Sequence, residues 1–150
     1  MRYIEALDVW DGNYKFNESY SLFLAGGISN CSNWQDKVVS GLKHSPLILL
    51  NPRRKNFPMD APYQSQRQIE WEHQHLQMAD AIMFWFCKET LCPITLFEYG
   101  KWLVMDKKLF VGCDPEYERL IDVKIQTRLE RPMQIVHTDL NDLILEIISY

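Results

Sequence analysis

Ala81-Ile82-Met83-Phe84-Trp85-Phe86 is an unbroken run of apolar residues, with Asp80 before it and Lys88-Glu89-Thr90 soon after. A strand with one wet face alternates apolar and polar side chains. One that is apolar at every position is covered on both faces, as in the centre of a parallel sheet. Asp80 then sits where the preceding helix ends, at the edge of the sheet away from any ligand, and reads as a turn or cap residue.

Working outward from this run, three others have the same character. Ser21-Leu22-Phe23-Leu24-Ala25 closes on Gly26-Gly27, Leu47-Ile48-Leu49-Leu50 stops at Asn51-Pro52, and Leu109-Phe110-Val111-Gly112 lies downstream. Gln134-Ile135-Val136 is a shorter fifth. The intervening segments have helical spacing. Residues 33–42 place Trp34, Val38 and Leu42 on one face with Ser32 as a candidate N-cap. Residues 64–79 carry Ile69, Glu72, His73, Leu76 and Ala79 on a shared stripe. Residues 95–104, 119–129 and 140–148 complete the set. Strands alternating with helices predict an α/β protein with a parallel sheet of about five strands flanked by helices. Residues 1–150 read as a single domain. Its first 20 residues form a short N-terminal arm, a hairpin or irregular segment around the turn signal Asp11-Gly12-Asn13.

Bulk properties narrow the function classes. The chain has 150 residues, 47% of them hydrophobic, and a formal net charge of -4, an ordinary globular composition without the basic footprint of nucleic-acid binding. Arg53-Arg54-Lys55 is too short to hold a polyanion and reads as a solvated loop. No run approaches the roughly 18 apolar residues of a membrane span, and the N-terminus has no signal-peptide pattern. A cytoplasmic protein with reduced thiols is expected. Cys31, Cys87, Cys92 and Cys113 fit no zinc spacing, and His73 and His75 point apart on a helix. No metal and no cofactor is expected. A dinucleotide fingerprint, a P-loop and a nucleophile elbow are all missing from the sequence.

In parallel sheets of this kind the ligand binds beyond the carboxyl ends of the strands. That rule selects Gly26-Gly27, residues 51–63, residues 88–98 and residues 112–117. Glu98 stands out within Pro93-Ile94-Thr95-Leu96-Phe97-Glu98-Tyr99-Gly100, an otherwise apolar stretch near a helix start. The helix dipole there favours the ionised carboxylate, as a nucleophile requires, although the same placement serves a purely structural partner of the dipole. Gly100 costs the helix about 1 kcal/mol relative to alanine and suggests a close approach. Glu70 and Glu72 are both further candidates, depending on helix phase. Phe57 and Tyr63 lie in the long loop and are candidates for stacking on a base, whereas Trp34, Trp71, Trp85 and Trp102 read as core.

Phe23-Leu24-Ala25-Gly26-Gly27-Ile28, Trp34-Gln35, Asn51-Pro52-Arg53-Arg54, Ile69-Glu70-Trp71-Glu72, Ala79-Asp80-Ala81, Phe84-Trp85-Phe86 and, most specifically, residues 89–100 together resemble the nucleoside 2-deoxyribosyltransferase-like family, in its bacterial and phage branch. The resemblance runs from about Ser21 to Pro132. It implies a flavodoxin-like (Rossmann-like) sheet and an enzyme that cleaves the N-glycosidic bond of a nucleoside or nucleotide, by transfer or hydrolysis. Glu98 would attack the sugar to form a covalent glycosyl-enzyme. The acidic residue eight positions before the Ala-Asp aspartate, Glu72, would protonate the leaving base. Such an acid needs burial to raise its pKa. Gly26, Gly27, Arg53, Phe57, Tyr63, Cys92 and Thr95 would line the substrate site, Arg53 or Arg54 meeting a phosphate if one is present. A small-molecule partner and a homo-oligomer are implied. The chain departs from the family pattern in three places. The first strand lacks the tyrosine that holds the nucleophile, Cys92 stands where the loop aspartate is usual, and Glu72 replaces an aspartate. These departures leave open a non-catalytic nucleotide-binding or sensor domain, and a glycohydrolase acting on a dinucleotide such as NAD.

Overall fold

The computed structural model describes residues 1–14, 17–55 and 62–150, the last segment with side chains from residue 65 onward. Its elements run β1 (Arg2–Glu5), β2 (Tyr20–Gly26), α1 (Trp34–Gly41), β3 (Leu47–Asn51), α2 (Pro62–Met78), β4 (Ala81–Phe86), α3 (Pro93–Leu103), β5 (Lys108–Cys113), α4 (Leu120–Glu130), β6 (Val136–His137) and α5 (Leu140–Ser149). The strands form one sheet in the order β1-β3-β2-β4-β5-β6, and every pairing is parallel. This is the α/β, flavodoxin-like arrangement that the alternating pattern predicts. β4 is buried at all its positions and pairs with β2 and β5, so the apolar run is central.

The N-terminal arm departs from expectation. Residues 2–5 are neither a hairpin nor irregular but a sixth strand, running parallel to β3 with Tyr3 opposite Leu49. An edge strand of four residues needs little apolar surface, and only Ile4 of β1 is buried, so alternation had almost nothing to act on. The arm is anchored instead by Trp10, 4% exposed, and by the Trp71 indole N–H donating to the Asp8 carbonyl at 3.0 Å. The N-cap of α1 is Asn33, one residue beyond Ser32, and its side chain makes no capping bond.

Successive β4 side chains face opposite layers. Phe84 and Phe86 meet Tyr99 of α3, and Phe23 of β2 meets Trp71 of α2. On the other face, Gly112 leaves room for Leu143 of α5 and the Trp85 ring, and Gly41 of α1 lies against Ile144. Asp80 clamps the amino ends of two strands: the Ser21 N–H and hydroxyl each donate to it at 2.7 Å, and the Tyr14 hydroxyl donates as well. Burial opposes its charge, but these bonds outweigh burial and hold its pKa below the ordinary value. From β2 the chain passes to β3 on one side and then crosses to β4 on the other. The carboxyl end of β2 is therefore the point where strand order reverses and a crevice opens.

Candidate functional site

A cleft of about 380 Å³ occupies that crevice, within the size range of small-molecule sites, about 300–1,000 Å³. One wall comes from the end of β2 and the loop after it, including Gly26, Gly27, Ser29 and Asn30. Another comes from Thr90, Cys92, Ile94, Thr95 and Glu98, and Glu72 of α2 closes it. Six of the residues named from sequence thus share one cleft: Gly26, Gly27, Glu72, Cys92, Thr95 and Glu98.

The two glycines serve the protein's own packing. A Cβ at Gly26 would lie 2.5 Å from the Trp85 carbonyl oxygen of the neighbouring strand. A Cβ at Gly27 would lie 2.5 Å from the Cys87 sulfur and 3.1 Å from those of Cys31 and Cys92. The turn is held by the Gly27 carbonyl, which accepts from the Trp34 indole at 2.9 Å and the Gln35 amide at 3.2 Å.

Glu98 is the sixth residue of α3, in its second turn. The dipole's influence fades within the first turn, so the expected stabilisation of its charge does not dominate. Burial pushes its pKa up to about 7, the Glu72 charge pushes the same way, and Lys101 pulls back. Burial also raises Glu72, opposed by the Gln68 amide, which donates to Glu72 Oε1 at 2.8 Å. Gln68 is anchored by a second donation, to the Pro52 carbonyl at 2.6 Å. Glu70 points outward and pairs with Gln66 at 2.8 Å. The cleft thus holds two carboxyls whose ionisation burial opposes, and the Glu72 charge raises Glu98 further.

Other sequence-named residues fall elsewhere. The Arg53 guanidinium is not in the cleft wall. It donates to the carbonyls of Ile28, of Cys31 at 3.1 Å and of Ser32 at 3.0 Å, so it clamps the loop after β2. Phe57 lies outside the described residues, and Tyr63 is described only as part of the α2 backbone. Trp34, Trp71, Trp85 and Trp102 are all buried. A Cβ on Gly100 would meet nothing within 4 Å, so no group among the described residues makes the close approach suggested for it. Sequence reading missed Ser29, Asn30, Thr90 and Gln68. Of these, Thr90 lies within the segment 88–98 that the strand-end rule selects, and Gln68 left a signal four residues before Glu72 on the same helix, the spacing at which side chains meet.

A parallel sheet with paired, partly buried carboxylates in its switch-point cleft defines an α/β protein that handles a small ligand at its carboxyl edge. Within that class, residues 19–117 match the family described as nucleoside 2-deoxyribosyltransferase like. The chain belongs to that family, which points to nucleoside glycosyl transfer in general. None of the curated proteins compared with the chain matches it. Among the described residues, no helix is long and apolar enough to cross a membrane.

Proposed function

We propose that this protein is an enzyme cleaving the N-glycosidic bond of a nucleoside or nucleotide, passing the sugar to a second base or to water. The observation that carries this reading is the pair Glu72 and Glu98 in one cleft, coupled through their charges and both raised by burial. Retaining glycoside cleavage needs one carboxylate to attack and one carboxylic acid to assist departure. In the proposed cycle Glu98 attacks C1′, the C–N bond breaks, and the proton on Glu72 goes to the departing base. The acceptor then displaces Glu98 and returns a proton to Glu72. Gly26, Gly27, Cys92 and Thr95 would surround the substrate. Two carboxylates in the cleft and the engagement of Arg53 by three carbonyls favour an uncharged nucleoside over its monophosphate.

One observation favours exchanging the two roles. A carboxyl titrating near 7 is half protonated at neutrality, which suits a proton donor better than a nucleophile. The second reading therefore has Glu98 as the acid and Glu72 as the attacking group. A homo-oligomer is supported by the exposed apolar residues Ile94 and Phe97 on α3 and Val104 at its C-cap; sedimentation as a monomer would contradict it.

The test is incubation with a panel of nucleosides and nucleoside monophosphates, with and without an acceptor base, beside Glu98→Ala and Glu72→Ala. Base released or exchanged by the unmutated protein and lost in both variants supports catalysis. Equal ligand binding by all three proteins with no release supports a sensor domain instead.

A further inference from the structure

Three of the four cysteines converge on one point. The sulfurs of Cys31, Cys87 and Cys92 all lie within 3.1 Å of the position a Gly27 Cβ would take, so no two are farther apart than twice that distance. The sulfurs of Cys87 and Cys92 lie 3.5 Å apart with no disulfide between them, and the Cys31 thiol also hydrogen-bonds Cys87. Their chain positions differ in a useful way. Cys87 directly follows β4, and Cys92 is the N-cap of α3 in a left-handed conformation at φ 47°.

From this geometry we infer that Cys92 and Cys87 form a hydroperoxide-reactive dithiol, with Cys92 as the attacking thiol and Cys87 as the resolving one. Cys92 lines the cleft, which gives a small oxidant a path to its sulfur. Cys87 is 1% exposed and is not part of the cleft wall. The Cys87 thiol, together with the backbone N–H groups of Cys87 and Gly27, lowers the Cys92 pKa although burial opposes it, whereas Cys87 itself is raised. The thiolate is the nucleophile in such chemistry, so the lowered pKa favours Cys92 as the attacking member.

The chemistry balances in two steps. The Cys92 sulfur attacks one peroxide oxygen: an S–O bond forms, the O–O bond breaks, and the second oxygen leaves as water with the thiol proton. Cys92 is then a sulfenic acid. The Cys87 sulfur attacks the Cys92 sulfur: an S–S bond forms, the S–O bond breaks, and the hydroxyl leaves as water with the Cys87 proton. Two thiols are oxidised and one peroxide is reduced to two waters. The product ties the end of β4 to the first turn of α3, the helix that carries Glu98.

The readout is covalent and independent of glycosyl transfer, so its failure would leave the proposed function untouched. Purified, fully reduced protein is treated with hydrogen peroxide, its thiols are titrated after denaturation, and its peptides are mapped by mass. The unmutated protein and Cys31→Ser should each lose two thiols, give a linked Cys87–Cys92 peptide, and recover both thiols with dithiothreitol. Cys113, fully buried in β5, is the internal control and should stay reduced. Cys87→Ser, checked for folding by circular dichroism, should accumulate a sulfenic acid at Cys92 that a 1,3-diketone captures. Retention of all four thiols, a linked peptide containing Cys31, or diketone label on Cys31 rather than Cys92 would each overturn the assignment.

Discussion

Replacing Glu98 by glutamine keeps the shape of the side chain and removes its charge, so the stability change isolates the electrostatic cost of holding this carboxylate in the cleft. Its pKa is raised from 4.5 to about 7, and at about 1.4 kcal/mol per unit the ionised group costs the folded state about 3 kcal/mol. The sign follows from linkage. Between pH 4.5 and 7 the folded chain holds a proton that the unfolded chain has released, so this group makes stability fall as pH rises through that window. Below pH 4.5 both states are protonated and the cost vanishes; above pH 7 it is present in full. Glu98→Gln should therefore match the unmutated protein at pH 4.5 and exceed it by up to about 3 kcal/mol at pH 8. Urea unfolding of both proteins at the two pH values measures this. Equal stability at pH 8, or a variant less stable there than at pH 4.5, would refute the placement of Glu98 in a poorly hydrated, like-charged site. A carboxylate retained at such a cost is the trade of stability for activity expected at a working site.

Other substitutions probe the supports of the cleft. Gly26→Ala drives a Cβ to 2.5 Å from the Trp85 carbonyl, which cannot yield without opening the β2–β4 ladder; a loss of about 2–3 kcal/mol is expected by chemical denaturation, and a change within about 0.5 kcal/mol would contradict it. Gln68→Leu removes the amide that opposes the burial shift on Glu72, so the Glu72 carboxyl should titrate at higher pH by infrared or NMR titration; an unchanged or lower midpoint refutes the role. The Arg131 guanidinium donates to the carbonyls of Leu103 at 2.7 Å, Trp102 at 3.2 Å, Lys107 at 2.8 Å and Met105, closing the end of α3. Arg131→Met should cost about 2 kcal/mol and speed amide exchange in the last turn of α3, and unaltered exchange there would show the clamp to be dispensable.

The central elements were legible because burial on both faces writes itself into composition. β4 coincides with the apolar run from Ala81 to Phe86, and β2, β3 and β5 extend theirs by only one or two residues. The strand-end rule then led to Glu98, Cys92 and the glycine pair. β1 was not legible, since a four-residue edge strand with one buried side chain has no periodic signature. The role of Arg53 was hidden for a different reason: its partners are backbone carbonyls on another loop, and a carbonyl leaves no mark in sequence. The same holds for the thiols, because residues 31, 87 and 92 become neighbours only when the ends of β2 and β4 lie side by side. The dipole argument for Glu98 expects an ionised carboxylate, whereas burial and Glu72 outweigh a field that has faded by the second turn.

The central claim of the proposed cycle is a covalent sugar on Glu98. The direct measurement is rapid acid quenching of the protein during turnover of a 2-deoxyribonucleoside, followed by intact-mass analysis and peptide mapping. The account predicts an added deoxyribosyl mass on the α3 peptide containing Glu98, absent from Glu98→Gln. Base release without any adduct on that peptide, or an adduct on the α2 peptide containing Glu72, would contradict it.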